Sequence, residues 1–273
     1  MKPALLDPDE PHPLELHNNA GRSDFLLICE HAGRRIPRRL GTLGLPEAEL
    51  TRHIAWDIGA RDVAVALADL LDAPLFMQRY SRLVCDCNRR PDVGSYAPEL
   101  SEATSVPGNL GLTKDDLDSR TAAIFRPFHD AVAAELDQRA AEGRRTALVT
   151  IHTFTPVFLG VARPWQIGVL FNRDRHFAPA IADWLKANTD LTVGVNEPYS
   201  VSDDTDYAIP VHGERRGLPC VEFEIRNDLI DGAASARRWA HLMAEAVTSA
   251  QRKRETDGQR AEISASLKIE GNA

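Results

Sequence analysis

No uninterrupted apolar stretch in this chain approaches the roughly 18 residues needed to cross a bilayer, which argues against a membrane-spanning helix. The N-terminus, rich in Pro, Asp and Glu, has no basic stretch followed by an apolar one, so it does not read as a secretory signal and a cytoplasmic protein is expected. Cysteine is scarce: Cys29, Cys85, Cys87 and Cys220 lie in or beside apolar runs rather than in a spaced framework, which predicts reduced, buried thiols and no structural disulfide. Basic charge is scattered. The 273 residues carry a formal charge of −8, and clusters such as Arg34-Arg35 and Arg38-Arg39 are short. That leaves no broad electropositive field for a phosphate backbone, and nucleic acid is not an expected partner. Internal repeats are absent, and so is the His-Glu-x-x-His signature of zinc proteases.

What is present is enough apolar material, 43% of the chain, for a sizeable core near the upper limit of one domain. We expect that domain over residues 24–250. It is preceded by a polar, Pro-containing segment at 1–23 that should be frayed and followed by a charged, disordered tail at 251–273. Apolar runs predict strands at 25–30, 74–78, 83–87, 146–151, 166–171, 191–195 and 220–225. Helical spacing of Leu50, Ile54, Ile58, Val63, Leu67 and Leu70 predicts a helix over 46–71. Further helices are expected at 113–141, capped by Thr113, at 177–187 and at 233–250. Residues 33–45 read as a loop, and residues 89–112 form a long Pro- and Gly-containing segment of a kind more often functional than idle. Strands alternating with helices imply an α/β fold with a central sheet covered on both faces.

Buried parallel strands read as near-continuous apolar runs, and open α/β sheets bind ligands beyond the strands' carboxyl ends. Two histidines, His31 and His152, each follow such a run, and the run at 220–226 carries Glu222 and Glu224 on alternate residues, hence on one face. Imidazoles and carboxylates delivered to one sheet edge are how such a fold builds a metal-assisted hydrolase. His53 and Asp57, four residues apart on the predicted helix, share a face; they are either a local pair on a solvated surface or, with Trp56 and Ile58 flanking Asp57, a half-buried carboxylate that a metal compensates. Glu222, Glu224 and Arg226 are either an ion-pair ladder on an edge strand or a general base with its orienting partner. Arg82 and Arg89 leave a predicted strand beside this edge, where guanidinium forks can anchor an acidic substrate. The Cys85-Asp86-Cys87 spacing fits neither a redox pair nor a structural zinc site, and both thiols read as packing.

The ordered set Glu30-His31-Ala32-Gly33 with Ile36-Pro37, the block from His53 to Gly59, Asp86-Cys87-Asn88-Arg89, Ile151-His152-Thr153 and Glu224-Ile225-Arg226 resembles the N-formylglutamate amidohydrolase family over residues 24–232. The resemblance implies a single three-layer α/β/α domain with a central mixed sheet, like that of the zinc carboxypeptidases. It further implies His31 and His152 as ligands of zinc or another divalent transition metal, Glu224 as general base, and Asn88 and Arg89 as the pair holding a substrate carboxylate. Three residues after His31, where carboxypeptidases carry an acidic ligand, stands Arg34, so Asp57 is expected in that role with Glu30 its rival. Arg82 or His212 is expected to stabilise an oxyanion, and His53, Tyr80, Arg215 and Arg226 are lesser candidates. The implied substrate is N-formyl-L-glutamate, giving formate and glutamate as in one route of histidine degradation. A broader N-acyl amino acid or small-peptide hydrolase, a non-catalytic binder of acidic ligands and a thiol hydrolase using Cys29 or Cys220 are the alternatives.

Overall fold

The structure, a computed structural model, describes residues 4–270, with side-chain surroundings as far as residue 257. In chain order come β1 (Leu14–His17), β2 (Phe25–Cys29), α1 (Glu47–Leu50), α2 (Ala60–Leu71) and β3 (Leu75–Gln78). A small hairpin, β4 (Leu100–Ser101) and β5 (Thr104–Ser105), precedes α3 (Lys114–Arg120) and α4 (Arg126–Ala141), which a wide π-helical turn joins into one rod. After β6 (Ala147–Phe154) comes a second hairpin, β7 (Val157–Phe158) and β8 (Val161–Ala162). The chain then runs through β9 (Ile167–Leu170), α5 (Phe177–Asn188), β10 (Val193–Val195), β11 (Cys220–Arg226) and α6 (Ala233–Glu270). Among the described residues no helix is long and apolar enough to cross a membrane.

Seven strands form one sheet in the order β1-β3-β2-β6-β11-β9-β10. The centre, β3-β2-β6-β11, is parallel, while β1 on β3 and β9 on β11 run antiparallel, so the sheet is mixed. Side-chain alternation sorts its two faces. Leu27, Cys29, Val149, Ile151, Val221, Phe223 and Ile225 pack with α2, α5 and α6 on one side. Leu26, Ile28, Leu148 and Cys220 pack with Phe128, Val132 and Leu136 of α4 on the other. This is the expected three-layer α/β/α architecture. On that second face the same alternation carries each strand from apolar residues into polar ones: Leu148 is followed by Thr150 and His152, and Cys220 by Glu222 and Glu224, whose register pairs Glu222 with Thr150 and Glu224 with His152. The carboxyl ends of the central strands are therefore polar on one face only.

Three expectations need correction. The helix predicted over 46–71 is two helices with a crossover between them. Leu50 and Ala55 bury into the α4 side of the sheet, whereas Val63, Ala64 and Leu67 bury into the α6 side, and no straight helix reaches both. The chain passes over the strand ends between α1 and α2 and enters α2 through Gly59, whose φ of +83° favours glycine and whose Cβ would lie 2.7 Å from Ile230 Cγ2. The apolar run at 83–87 is not a strand. It is buried, yet its carbonyls are taken by side chains: Leu83 O accepts from Asn109 Nδ2 at 2.9 Å, Val84 O from Arg120 Nη1 at 2.8 Å, and Cys87 O lies 2.7 Å from His129 Nε2. Backbone satisfaction, which periodicity cannot read, here replaces a ladder. Finally, the N-terminal segment is held in place from residue 4. β1 pairs with β3, Leu5 is buried, Glu15 binds Arg61 and Arg79, and Asp7 binds Arg39. At the other end α6 continues to Glu270, beyond the last apolar spacing at residue 250; residues 1–3 and 271–273 of the two expected tails lie outside the described residues.

Candidate active site

His31 follows β2, His152 sits near the end of β6 and Asp57 hangs from the crossover between α1 and α2; all three are buried. Asp57 is fixed there by backbone contacts: its N–H donates to His31 O at 3.0 Å, and its Oδ2 accepts from Thr153 N at 3.2 Å. The turn after His31 depends on Gly33, where any Cβ would meet the Arg79 backbone. Asp57 Oδ2 is 2.9 Å from His152 Nδ1 and 3.3 Å from His31 Nδ1, and the two Nδ1 atoms are 3.0 Å apart. Each imidazole has a carboxylate on its far side: His31 Nε2 is in hydrogen-bond contact with Asp86 Oδ1 at 2.7 Å, and His152 Nε2 lies 3.0 Å from Glu30 Oε2, an ion-pair distance without hydrogen-bonding geometry.

That backing decides the chemistry of the trio. A carboxylate behind an imidazole holds the proton on the facing nitrogen and leaves the opposite nitrogen with its lone pair. If each ring keeps its proton on Nε2, both Nδ1 lone pairs converge on the Asp57 oxygen, an arrangement of three acceptors that suits a cation. Ligand atoms about 2.0–2.1 Å from a zinc ion, at angles of roughly 90–110°, lie about 2.9–3.4 Å from one another. The three donors, which offer the only cluster of metal-ligating type among the described residues, have that spacing. Two nitrogens and one oxygen suit zinc and also accept other divalent transition metals. The geometry separates Asp57 from its rival: Asp57 belongs to the converging set, while Glu30 lies behind His152.

Protons and a metal ion compete for this seat: burial acts to raise the Asp57 pKa, but the His31 charge and hydrogen bonds from both imidazoles hold it well below the usual carboxylate range, and Glu222 and Glu30 raise His152 against the effect of burial. Asp86 is likewise kept low, burial being outweighed by Arg82 and His31. Arg82 joins the two acids, with Nη1 3.2 Å from Asp57 Oδ1 and Nη2 2.7 Å from Asp86 Oδ2. Glu224 is the opposite case. Burial, reinforced by Asp57 and Glu222, raises it well above the usual range, and its Oε2 has no hydrogen-bond partner. Glu222, raised by burial, accepts from Asn88 Nδ2 at 3.1 Å. These groups border a cleft of about 450 Å³, walled further by Ile54, Leu100, Phe154, Phe158 and Tyr199.

Of the remaining expected site residues, Arg89 and His53 line this cleft. Arg89 donates from Nη1 to Asp206 at 2.5 Å and to the Asn88 carbonyl at 2.9 Å. Asn88 also lines the cleft; its Nδ2 donates one N–H to Glu222 and its Oδ1 accepts from the Ala208 N–H, which leaves its second Nδ2 hydrogen for a ligand. His212 is corrected: it is buried against His129, Nε2 to Nδ1 at 2.9 Å, and does not border the cleft. Tyr80 donates to Pro11 O at 2.8 Å, Arg226 pairs with Asp228 and Arg215 is exposed, all outside the cleft. Cys29 and Cys220 are fully buried and free, and burial raises both thiols, which leaves a thiol route without a nucleophile. Asp86 was the residue missed; a carboxylate inside an otherwise buried run was its signal.

A three-layer α/β/α scaffold that gathers two imidazoles, an aspartate and a desolvated glutamate beyond its parallel strands is the build of a hydrolase. Residues 23–231 match the family described as N-formylglutamate amidohydrolase, and the chain belongs to that family. Its structure is similar to that of the gene product Atu2144 from Agrobacterium tumefaciens, with 39% identity over 92% of this chain and 99% of that one and a TM-score of 0.89. It shares its fold with the N-formylglutamate amidohydrolase of Ralstonia eutropha JMP134 at 15% identity, covering 89% of this chain and 100% of that one with a TM-score of 0.63. No curated protein matches the chain.

Proposed function

We propose that the protein is a metal-dependent hydrolase that cleaves the amide bond of a formylated or similarly acylated amino acid, of which N-formyl-L-glutamate is the family's namesake, giving a carboxylic acid and the free amino acid. The observation that carries this reading is the convergence of His31 Nδ1, His152 Nδ1 and Asp57 Oδ2, with Asp86 hydrogen-bonded behind His31 and Glu30 3.0 Å behind His152, beside the unpartnered Glu224 Oε2. A divalent ion held by those three atoms, zinc being our first choice, supplies Lewis acidity that polarises an amide carbonyl and makes water a stronger acid near neutral pH.

The protein's own groups do the rest. Glu224 takes a proton from the attacking water and returns it to the leaving nitrogen, a task its raised pKa suits. Asn88 and Thr150 hold Glu222, and Asp86 and Glu30 fix the two imidazoles. Arg82 locks Asp57 and Asp86 together and so sets the spacing of the seat. Arg89, which lines the cleft and whose side-chain hydrogen bonds among the described residues all come from Nη1, receives the substrate's α-carboxylate through Nε and Nη2. A cytoplasmic setting, in which thiols stay reduced, suits the four buried free cysteines. The test is formate release from N-formyl amino acids by protein as purified, after chelation and after zinc is restored. Loss and recovery of activity supports the reading, and turnover that survives chelation refutes it.

A further inference from the structure

Arg163 is nine-tenths buried, yet among the described residues no carboxylate pairs with it. A buried charge has to be compensated, and here aromatic faces contribute. The guanidinium carbon lies 4.5 Å from the Phe158 ring centroid, 4.8 Å from that of Tyr199 and 5.8 Å from that of Phe154. The backbone holds it there: Arg163 N donates to Pro156 O at 2.8 Å across the base of the β7–β8 hairpin, and Arg163 O accepts from Arg226 Nη1, at the end of β11, at 3.2 Å. Among the described residues the Arg163 side chain makes one hydrogen bond, from Nη1 to Tyr199 Oη at 2.7 Å. Tyr199 borders the cleft, and its own O–H has no acceptor among the described residues.

A phenol has one proton to donate and two lone pairs to accept with. Arg163 takes up a lone pair, which leaves the O–H for a ligand, and a cationic donor on the oxygen makes that O–H a stronger donor. Burial and the Glu224 charge raise the Tyr199 pKa against the pull of Arg163 and Arg82, so the phenol keeps its proton at neutral pH. Glu224 is paired in register with His152, and Arg82 binds Asp57; the charges that bear on the phenol are those beside the trio. Of the two side chains expected at the oxyanion, His212 lies outside the cleft and Arg82 bridges Asp57 and Asp86. Resting on the hydrolase reading above, we propose that Tyr199 is a further catalytic residue, whose O–H, aligned and polarised by Arg163, donates a hydrogen bond to the acyl oxygen as that oxygen gains charge under attack by water. The bond tightens as the C–O π bond opens and relaxes as it re-forms, and the phenolic proton is not transferred. Arg163 acts through Tyr199 and is a positioning residue.

The test measures kcat and KM for formate release from N-formyl-L-glutamate by the zinc-loaded full chain, wild type against Tyr199→Phe, Arg163→Met and Arg163→Lys. Calorimetric Kd for the same compound, on Glu224→Gln with and without Tyr199→Phe, reads ground-state binding without turnover. Tyr199→Phe keeps the ring against Arg163 and should cut kcat by about 10²–10³. KM and Kd should stay within about threefold, because the bond matters most once the oxygen is charged. Arg163→Met should cut kcat by at least about tenfold, and Arg163→Lys, which keeps a cation, should recover part of the loss. In ultraviolet titration of the tyrosines, the component missing from Tyr199→Phe should move to higher pH in Arg163→Met, a shift that lost packing alone does not produce; an unmoved component overturns the part given to Arg163. A Tyr199→Phe kcat within about threefold of wild type overturns the proposal, as does a Kd that weakens as much as kcat/KM falls. Wild-type protein that releases no formate rejects the hydrolase reading and the proposal with it, whereas an unimpaired Tyr199→Phe beside an active wild type rejects the proposal alone.

Discussion

Replacing Asp86 by Asn tests whether the seat depends on its outer carboxylates. In the wild-type protein Asp86 Oδ1 faces His31 Nε2 at 2.7 Å and accepts the Asn88 N–H at 2.9 Å, while Oδ2 takes both Nε and Nη2 of Arg82. An asparagine cannot serve both sides. With its amide nitrogen toward Arg82, donors oppose donors. With that nitrogen toward His31, the imidazole must move its proton to Nδ1, the atom that should carry a lone pair into the seat. Loss of such an outer contact typically weakens metal binding about 10–100-fold, equivalent to roughly 1.4–2.7 kcal/mol. Competition with a chromogenic chelator gives the zinc Kd, and thermal melting of metal-free protein gives the stability change apart from it. Asp92→Asn, at an exposed pair with Arg90, serves as the control that should leave Kd unchanged. A zinc Kd for Asp86→Asn within about twofold of wild type would refute the role we give the carboxylate.

Three further outcomes follow from the same geometry. Glu224→Gln should leave zinc affinity intact and cut kcat by about 10²–10⁴, so near-normal turnover would remove Glu224 from the chemistry. Gly33→Ala puts a Cβ 2.1 Å from the Arg79 carbonyl oxygen and should cost about 1–3 kcal/mol in urea unfolding; an unmoved midpoint would show that the backbone yields freely there. Burial, with the Arg216 charge, pulls His212 down to about 4 from the usual 6.5, so the unfolded chain binds the extra proton between those values. Stability is therefore complete above pH 6.5 and falls as pH drops toward 4, by about 3 kcal/mol for a shift of this size. His212→Gln should flatten that limb of the urea midpoint against pH, and an unchanged limb would assign the acid loss elsewhere.

Much of the sheet was legible because buried parallel strands are written as apolar runs, and the two histidines stood out because each ends one. The alternation of Glu222 and Glu224 likewise told which face they share. The burial of Asp57 was legible from its apolar neighbours, but the helix that was to carry it is broken, since periodicity reports that residues are buried and not in which of two layers. Asp86 escaped because the run around it has strand composition while its carbonyls are bound by Asn109, Arg120 and His129, residues distant in sequence. The choice between Asp57 and Glu30 turned on which side of an imidazole each carboxylate approaches, and only three dimensions hold that. His212 looked available from its place before β11, but the aromatic packing that encloses it with His129 is written elsewhere in the chain.

The passage between α1 and α2 ties the helical layers of the molecule together. It is anchored at one end among residues under α4 and at the other among those beneath α6, and the aspartate lies between these moorings. Any slip of one layer past the other would change the gap between Asp57 and the histidines that follow β2 and lie in β6, so an ion held there as we propose would act as a rivet. Its removal should be felt as increased amide exchange on both sides of the sheet, well away from the cleft.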